Sequence, residues 1–355
     1  NLLMTKKILF PALLLFSCAV FSQQPIPLQY DKISVMIPMR DGIRLNTIIL
    51  TPSDHSKTYP FLIQRTPYSA DSRLPEDGEI TLTDQFSYAS LAADGYIFVF
   101  QDIRGKFKSQ GSMQIHQPIT HLKQPGTVDE STDTWDTIDW LLHHVENNNG
   151  KAGITGISYP GWLALVGAVD PHPALKASSE QACMGDLFLG DDFHHNGAFR
   201  LSYGMEYTYS VEGNREGAEF SFPQFDLYDW YRNLGSLKNV NEKYFHGKVP
   251  TWNNFVKHPD YDSFWQRNSP LTYVPYPEVP QLHVGGYYDQ EDINGPQLMY
   301  GHMEKKDSFS RNHIVLGPWY HGQWGRLKGD SIAGISFGSN TGEWFRDLQK
   351  KWFDY

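Results

Sequence analysis

The amino-acid sequence predicts an α/β fold: a mainly parallel β-sheet covered by helices on both sides, with an inserted helical cap. Short β-rich segments alternate with helical segments along the first half of the chain, which is the pattern of a parallel sheet. From about residue 186 to residue 275 this alternation stops, and the chain becomes rich in Tyr, Trp, Phe and Asn. Strand-like segments then return at residues 279–286 and 312–319. The interruption therefore indicates a cap inserted into the sheet domain.

The composition is that of a large globular domain. The chain has 355 residues, of which 40% are hydrophobic and 14% aromatic, so one large domain or a domain with an insertion is expected. The formal charge is −10. A nucleic-acid-binding surface needs a basic patch, so this charge argues against a nucleic-acid partner.

The N-terminus is predicted to be a signal peptide spanning residues 1–22. Lys6 and Lys7 precede an apolar run that is too short for a comfortable membrane span, and small residues follow it. We expect cleavage before Gln23 and a periplasmic or secreted protein without a membrane span. Lipidation at Cys18 is the alternative, although plain export is favoured. Cys183 would then be the only cysteine of the mature chain, so no intrachain disulfide is expected.

The remaining 23–355 is predicted to form the catalytic domain, with the cap at about 186–275. Residues 33–50 predict a hairpin that turns at Asp41-Gly42. Helices are expected at 84–95 and at 134–148, where Trp135, Ile138, Leu141 and Leu142 share one face. The segments that predict strands before the cap are 59–68, 95–105 and 151–159. Residues 343–355 predict an amphipathic helix.

The segment "TGISYPGW" carries the first candidate catalytic residue. Ser158 joins a short strand to an apolar helix, where a serine is presented above the sheet and the next backbone N–H faces the space of an oxyanion. The second glycine, Gly161, comes one position later than in G-x-S-x-G. On its own this pattern also fits an ordinary glycine-serine turn.

Two further residues follow predicted strands. Asp289 ends "LHVGGYYD" and His321 lies in "VLGPWYHG". Asp289 could instead cap a helix, and His321 could be an ordinary loop histidine. The order Ser, Asp, His is that of α/β-hydrolases, so the three together predict a catalytic triad and an α/β-hydrolase fold.

The sequence resembles the α-amino acid ester hydrolases, within the cocaine-esterase-like and X-Pro dipeptidyl-peptidase-like α/β-hydrolases. The motifs that carry the resemblance are "IPMRDGIRL", "RTPY", "GYIFVFQDIRG", "TGISYPGW", "GDDFHHNGAFR", "YYDQED" and "GPWYHG". The resemblance implies Ser158 as nucleophile, His321 as general base and Asp289 as the residue that orients it. It also implies an oxyanion hole formed by the Tyr159 backbone N–H and the Tyr68 hydroxyl.

The resemblance also gives a role to an acidic cluster beside the triad. In the family, three carboxylates hold the α-ammonium group of the substrate. Here Glu291 and Asp292 follow Asp289, and the third is expected at Asp192 rather than Asp191. Crowded carboxylates raise one another's pKa, and a bound cation relieves this conflict. A solvated acidic loop is the alternative explanation.

These observations predict a serine hydrolase that cleaves small-molecule esters and amides of α-amino acids, including β-lactam antibiotic side chains, through an acyl-enzyme, with transfer of the acyl groups left open. No cofactor and no metal are expected, because no His/Cys cluster has ligand spacing. An X-Pro-type dipeptidyl peptidase and a non-catalytic binding protein on a hydrolase scaffold are the alternatives, and a homo-oligomer is left open. Relatives continue into a C-terminal jelly-roll domain that is missing here, so we expect the sequence to be a piece of a longer protein.

Overall fold

The computed structural model describes residues 29–72, 74, 78–82 and 88–354. The predicted signal peptide, Cys18 and the predicted cleavage site lie outside these residues. The strands are β1 (Gln29–Pro38), β2 (Arg44–Pro52), β3 (Tyr59–Thr66), β4 (Gly78–Thr81), β5 (Ile97–Asp102), β6 (Asn148–Ile157), β7 (Leu175–Gln181), β8 (His194–His195), β9 (Ala198–Phe199), β10 (Gln281–Gly286), β11 (Asn312–Gly317), β12 (Ser331–Ile332) and β13 (Ile335–Ser336).

The helices of the described residues surround this set of strands. They are α1 (Ala89–Ala92), α2 (Glu130–His144), α3 (Tyr159–Gly167), α4 (Leu201–Glu212), α5 (Leu227–Leu234), α6 (Pro250–Lys257), α7 (Ser263–Asn268), α8 (Pro270–Tyr273), α9 (Gly295–Glu304), α10 (Gln323–Arg326) and α11 (Thr341–Asp354), with a π-helical turn at Asn241–Phe245.

The central sheet contains nine strands in the order β11-β10-β7-β6-β3-β5-β2-β1-β4. In this order, the first six strands, β11 to β5, are parallel to one another. The last three, β2, β1 and β4, extend the sheet with antiparallel pairing. This confirms the predicted α/β-hydrolase class with a mainly parallel sheet. The carboxyl ends of the parallel strands meet at one edge, which is where a site is expected in such a sheet.

The predicted hairpin is formed by β1 and β2. Pro38 pairs with Arg44, and the backbone N–H of Gly42 donates to the carbonyl of Met39 at 2.8 Å. Gly42 has a φ of 84°, a conformation that glycine adopts without steric cost. The Asp41-Gly42 pair therefore sets the turn, as the sequence indicated.

Helix α2 begins earlier than the sequence predicted. Asp129 precedes the helix and accepts a hydrogen bond from the backbone N–H of Thr132 at 2.9 Å, while the Thr132 hydroxyl accepts from the backbone N–H of Asp129. This reciprocal cap satisfies backbone N–H groups that a helix start otherwise leaves unpaired. Of the predicted apolar face, Ile138 and Leu141 are fully buried.

Helices α4 to α8 lie between β7 and β10, inside the range predicted for the cap. The cap has a core of its own, in which Trp230, Phe245 and Trp252 pack against Met205 of α4. Helix α11, predicted as amphipathic, buries Phe345 against Trp319 and Trp324. Among the described residues, we find no helix with the length and apolar character needed to cross a membrane.

Candidate active site

Ser158 occupies the turn between β6 and α3. Its φ of 69° and ψ of −130° lie outside the regions that residues with a side chain usually adopt, so the turn is strained. The backbone N–H of Ser158 donates to the carbonyl of Gln181 on the neighbouring strand β7 at 2.8 Å. This turn presents the Ser158 side chain at the carboxyl edge of the sheet, where it lines a cavity.

The two glycines of the motif are required by close backbone contacts. A β-carbon on Gly156 would lie 2.3 Å from the carbonyl group of Pro160, and one on Gly161 would lie 2.3 Å from the carbonyl oxygen of Gln181. Gly161 is therefore needed where α3 crosses β7. The late position of this glycine, which the sequence showed only as a departure from G-x-S-x-G, follows from that crossing.

His321 and Asp289 form a hydrogen-bonded pair across the ends of β10 and β11. The imidazole Nδ1 lies 2.9 Å from Oδ2 and 3.1 Å from Oδ1 of Asp289. Gly286 permits this approach, because a β-carbon there would lie 2.2 Å from the carbonyl oxygen of Trp319. The Nδ1 contact leaves Nε2 of His321 available for proton transfer.

The charge state of this pair suits a general base. Burial acts to raise the pKa of Asp289, but the hydrogen bond from His321 and the backbone N–H groups of Glu291 and Asp292 hold it below its usual value. Burial acts to lower the pKa of His321, yet the hydrogen bond and charge of Asp289, with smaller effects of Glu291 and Asp192, raise it above 6.5. An ionised Asp289 can therefore fix the orientation of the imidazole.

The third member of the predicted triad faces the same cavity. Ser158 and His321 both line it, and among the described residues the imidazole forms its hydrogen bonds with Asp289 rather than with the Ser158 hydroxyl. Instead, Nε2 of His321 lies 3.5 Å from Oε2 of Glu291. Hydrogen bonds of the nucleophile are often long before substrate binds.

Asp192 and Glu291 are brought together by Tyr203 of the cap. The Tyr203 hydroxyl lies 2.9 Å from Oδ1 of Asp192 and 3.2 Å from Oε2 of Glu291. The backbone N–H of Asp192 also donates to the carbonyl of Glu291 at 2.8 Å. The loop after β7 and the loop after β10 thus join beside His321.

Asp292 lies deeper in the same cluster. It is 2% exposed, and its Oδ1 has no hydrogen-bond partner among the described residues. Burial, followed by the charges of Asp192 and Asp191, raises its pKa well above the usual value. Burial likewise raises the pKa of Asp192 to about 7, with the charge of Glu291 adding to the effect. A bound cation would favour the ionised forms of these carboxyl groups and so lower their pKa values.

Asp191 and Asp192 are neighbours with different roles. Asp191 accepts hydrogen bonds from the backbone N–H groups of residues on two segments, namely Gly185, Asp186, Asn294 and Gly295. Its carboxylate is therefore used to hold the loop after β7 against the start of α9. Asp192 has a φ of 44°, and its side chain turns toward Tyr203. The structure thus places Asp192, and not Asp191, beside Glu291.

The two predicted oxyanion-hole groups flank the serine. The backbone N–H of Tyr159 is the first of α3 and has no acceptor within that helix. The Tyr159 side chain points into the core and stacks on His116, with ring centroids 4.2 Å apart. Tyr68 follows β3, lines the cavity and places its hydroxyl 2.8 Å from that of Tyr207.

The cavity has a volume of about 370 Å³. Ser158, His321, Glu291 and Tyr68 line it together. Its remaining wall combines apolar and neutral polar side chains with one basic side chain, and includes Leu74, Tyr88, Phe100, Gln181, Gln349 and Arg326. Tyr287 and Tyr288, which precede Asp289 in the sequence, are 57% and 55% exposed and are not among the residues that line this cavity.

Sequence reasoning did not single out Tyr203 and Tyr207 of the cap. The two residues are four positions apart on α4, a spacing that places side chains on one face of a helix. That pattern was the available signal, but it is also common in aromatic cores.

A separate group of possible ligands lies away from this cavity. These are His121, Asp170 and Glu278, each of which offers one possible ligand atom, and the three atoms lie within 4.8 Å of one another. The cluster already contains a cation, because Nζ of Lys123 lies 3.1 Å from Oδ2 of Asp170. The three residues are far apart in the sequence, so ligand spacing could not reveal them.

Known proteins match most of this chain. The model of the X-Pro dipeptidyl-peptidase (S15) family matches residues 41–323. The cocaine esterase of Rhodococcus sp. (strain MB1 Bresler) is 28% identical over 315 residues, which cover 85% of this chain and 51% of the esterase.

Two solved structures are similar in both sequence and fold. An aminopeptidase from a marine sediment Thaumarchaeota archaeon is 36% identical, with a TM-score of 0.82, covering 92% of this chain and 54% of the aminopeptidase. An α-amino acid ester hydrolase is 33% identical, with a TM-score of 0.83, covering 95% of this chain and 56% of the hydrolase. The chain therefore spans about half the length of the relatives that it matches.

Proposed function

Because the chain belongs to the X-Pro dipeptidyl-peptidase (S15) family, we propose that it forms the catalytic part of a serine hydrolase for esters and amides of α-amino acids. The observation that carries this proposal is the cluster of Asp192, Glu291 and Asp292 beside the His321–Asp289 pair. A hydrolase for neutral esters has no need of carboxyl groups that raise one another's pKa next to its general base.

In the proposed reaction, the Ser158 hydroxyl oxygen attacks the substrate carbonyl while its proton passes to Nε2 of His321. Asp289 stabilises the imidazolium that forms. The Tyr159 N–H and the Tyr68 hydroxyl donate to the oxyanion. When the intermediate collapses, His321 gives the proton to the departing alcohol or amine, and an α-aminoacyl ester of Ser158 remains.

The acyl-enzyme is then released by a second attack at the same carbonyl carbon. Water gives up a proton to His321 and adds to the carbonyl, and collapse returns the proton to Ser158 with release of the amino acid. An amine that takes the place of water would receive the acyl group. On this basis, β-lactam antibiotics with α-amino acyl side chains belong to the proposed range of substrates and products.

The acidic cluster is proposed to hold the substrate's α-ammonium group. A unit charge 4 Å from a carboxylate gains about 4 kcal/mol at an effective dielectric of 20, before desolvation is subtracted. The ammonium also relieves the mutual repulsion that raises the pKa of Asp192 and Asp292. Recognition thus depends on a positive charge next to the scissile carbonyl.

The test compares phenylglycine methyl ester with phenylacetic acid methyl ester, which lacks the amine. We expect a higher kcat/KM for the amino ester, measured on the full-length protein as cells produce it. Ser158→Ala should abolish turnover of both esters without changing the melting temperature. Equal kcat/KM values for the two esters would contradict amine recognition.

An X-Pro dipeptidyl peptidase is the second candidate, because it is the activity named by the matching family. Such an enzyme would also bind an N-terminal ammonium group. Hydrolysis of an X-Pro anilide with a higher kcat/KM than that of phenylglycine methyl ester would favour it. If a fluorophosphonate probe left Ser158 unlabelled in the folded protein, a non-catalytic binding protein would be favoured over both enzymes.

We further propose that the protein is exported, because basic residues followed by an apolar run near the N-terminus are typical of a signal peptide. Mass spectrometry of protein purified from the producing cell should find Gln23, as pyroglutamate or free glutamine, at the new N-terminus. A diacylglyceryl Cys18 at the N-terminus would indicate a lipoprotein instead, and an intact Met4 start would contradict export.

A further inference from the structure

Helix α4 of the cap presents two tyrosines to different parts of the site. The hydroxyl of Tyr203 contacts Asp192 and Glu291. The hydroxyl of Tyr207, one turn later, contacts that of Tyr68 at 2.8 Å. The rings of Tyr203 and Tyr207 are stacked, with centroids 5.5 Å apart and planes 5° apart. One turn of helix therefore bridges the amine-binding carboxylates and the oxyanion donor.

We propose that Tyr207 is a positioning residue: it donates its hydroxyl proton to Tyr68 and thereby directs the Tyr68 proton at the substrate oxyanion. This inference rests on the proposed function, in which Tyr68 is an oxyanion donor. Neither the family resemblance nor the sequence pattern assigned any role to Tyr207.

A count of protons supports this direction. Among the described residues, the Tyr207 hydroxyl has Tyr68 as its hydrogen-bond partner and no second one. If Tyr207 donates, both protons are used, one on Tyr68 and one on the oxyanion. If Tyr68 donated to Tyr207 instead, the Tyr68 proton could not form a hydrogen bond with the oxyanion. The Tyr207 proton would then lack an acceptor in the described part of the site. Only the first direction uses both phenol protons in hydrogen bonds to the protein or the substrate.

The electrostatics of the two phenols agree with this direction. Burial raises the pKa of Tyr68, and the hydrogen bond with Tyr207 acts in the opposite sense. Burial also raises the pKa of Tyr207 well above its usual value, and there the contact with Tyr68 adds to the increase. Both phenols therefore keep their protons at working pH. A hydroxyl that accepts one hydrogen bond becomes a stronger donor in the next.

The test is a double-mutant cycle with Tyr207→Phe and Tyr68→Phe, assayed with the methyl esters of phenylglycine and phenylacetic acid. Tyr207→Phe should lower kcat for both esters by about 3- to 10-fold, as expected for one neutral hydrogen bond, with KM nearly unchanged. Tyr68→Phe should cost about 10²- to 10³-fold. In the Tyr68→Phe background, the second substitution should have no further effect.

Tyr203→Phe is the matched control on the same helix face. It removes a hydroxyl that contacts Asp192 and Glu291, so it should affect the amino ester alone. Independent, multiplying effects of Tyr207→Phe and Tyr68→Phe would overturn the proposal, as would a Tyr207→Phe effect confined to the amino ester.

Folding and the proposed function are controlled separately. Tyr207→3-fluorotyrosine keeps a donor of similar size and should retain the parent kcat; a loss as large as that of Tyr207→Phe would show that packing, not the proton, matters. If Tyr68→Phe itself were harmless while a fluorophosphonate still labelled Ser158, the relay would be wrong but the serine hydrolase would stand. If the fluorophosphonate left Ser158 unlabelled, this would instead contradict the proposed function.

Discussion

Replacement of Glu291 by Gln tests the amine site with little change of shape. Glu291 is the member of the acidic cluster that lines the cavity. Burial and neighbouring charges raise the pKa of Asp192 to about 7 and the pKa of Asp292 well above its usual value, so both groups become negatively charged less readily than an ordinary carboxyl group. The binding of the substrate's ammonium group should therefore depend strongly on Glu291. A glutamine oxygen can still accept the hydrogen bond from Tyr203, so the local geometry should persist.

The magnitude follows from one charge-assisted contact. Its loss is worth about 1–3 kcal/mol, so kcat/KM for phenylglycine methyl ester should fall about 5- to 150-fold. The ester of phenylacetic acid should lose nothing, because it brings no charge to the cluster. Steady-state kinetics at pH 7 on both esters measures the difference. Glu242→Gln, at an exposed position of the cap, is the matched control and should leave both values unchanged.

The same variant offers a second, independent readout. The charge of Glu291 contributes to the raised pKa of His321, so its removal should move the acid limb of the pH profile to lower pH for both esters. Parallel losses on the two esters, with the acid limb unmoved, would refute the reasoning and make Glu291 a structural part of the site.

Three other outcomes are expected. Asp289→Asn should lower kcat for both esters by about 10⁴-fold, because it misorients the imidazole; a loss restricted to the amino ester would contradict its place in the triad. For the parent protein, kcat/KM should rise with pH as His321 loses its proton, with a midpoint above its usual 6.5. It should fall again for amino esters alone as the substrate amine deprotonates at about 7.7–8.0; an equal alkaline limb for the des-amino ester would refute this. Gly161→Ala should destabilise the fold by about 1–3 kcal/mol in urea titrations, because its β-carbon meets the Gln181 carbonyl. Gly301→Ala, whose β-carbon meets nothing within 4 Å, should not.

The sequence predicted the parts of the site that depend on position along a strand. Ser158, Asp289 and His321 each follow an apolar segment, and parallel strands bring their carboxyl ends to one edge whatever the intervening loops contain. The structure accordingly pairs Asp289 with His321. The α/β-hydrolase class followed from the same reasoning and from the family motifs.

Contacts made by side chains from remote loops could not be predicted in this way. The choice of Asp192 over Asp191 required a resemblance, because two adjacent carboxylates look alike until the backbone turns one of them at a φ of 44°. Tyr203 and Tyr207 were missed for a related reason. Their helical spacing shows that they share a face, but not that the face meets the site.

The strand order fixes distances within the site, since neighbouring strands of a sheet lie about 4.8 Å apart. β10 and β11, which carry Asp289 and His321, are adjacent, so these side chains touch directly. β6, which ends just before Ser158, is separated from β10 by β7, so the serine follows a strand about 10 Å from the one that leads to Asp289. The chain leaving β7 leads on to Asp192. The proposed amine site therefore takes Asp192 from the chain that follows the one strand separating Ser158 from the Asp289–His321 pair.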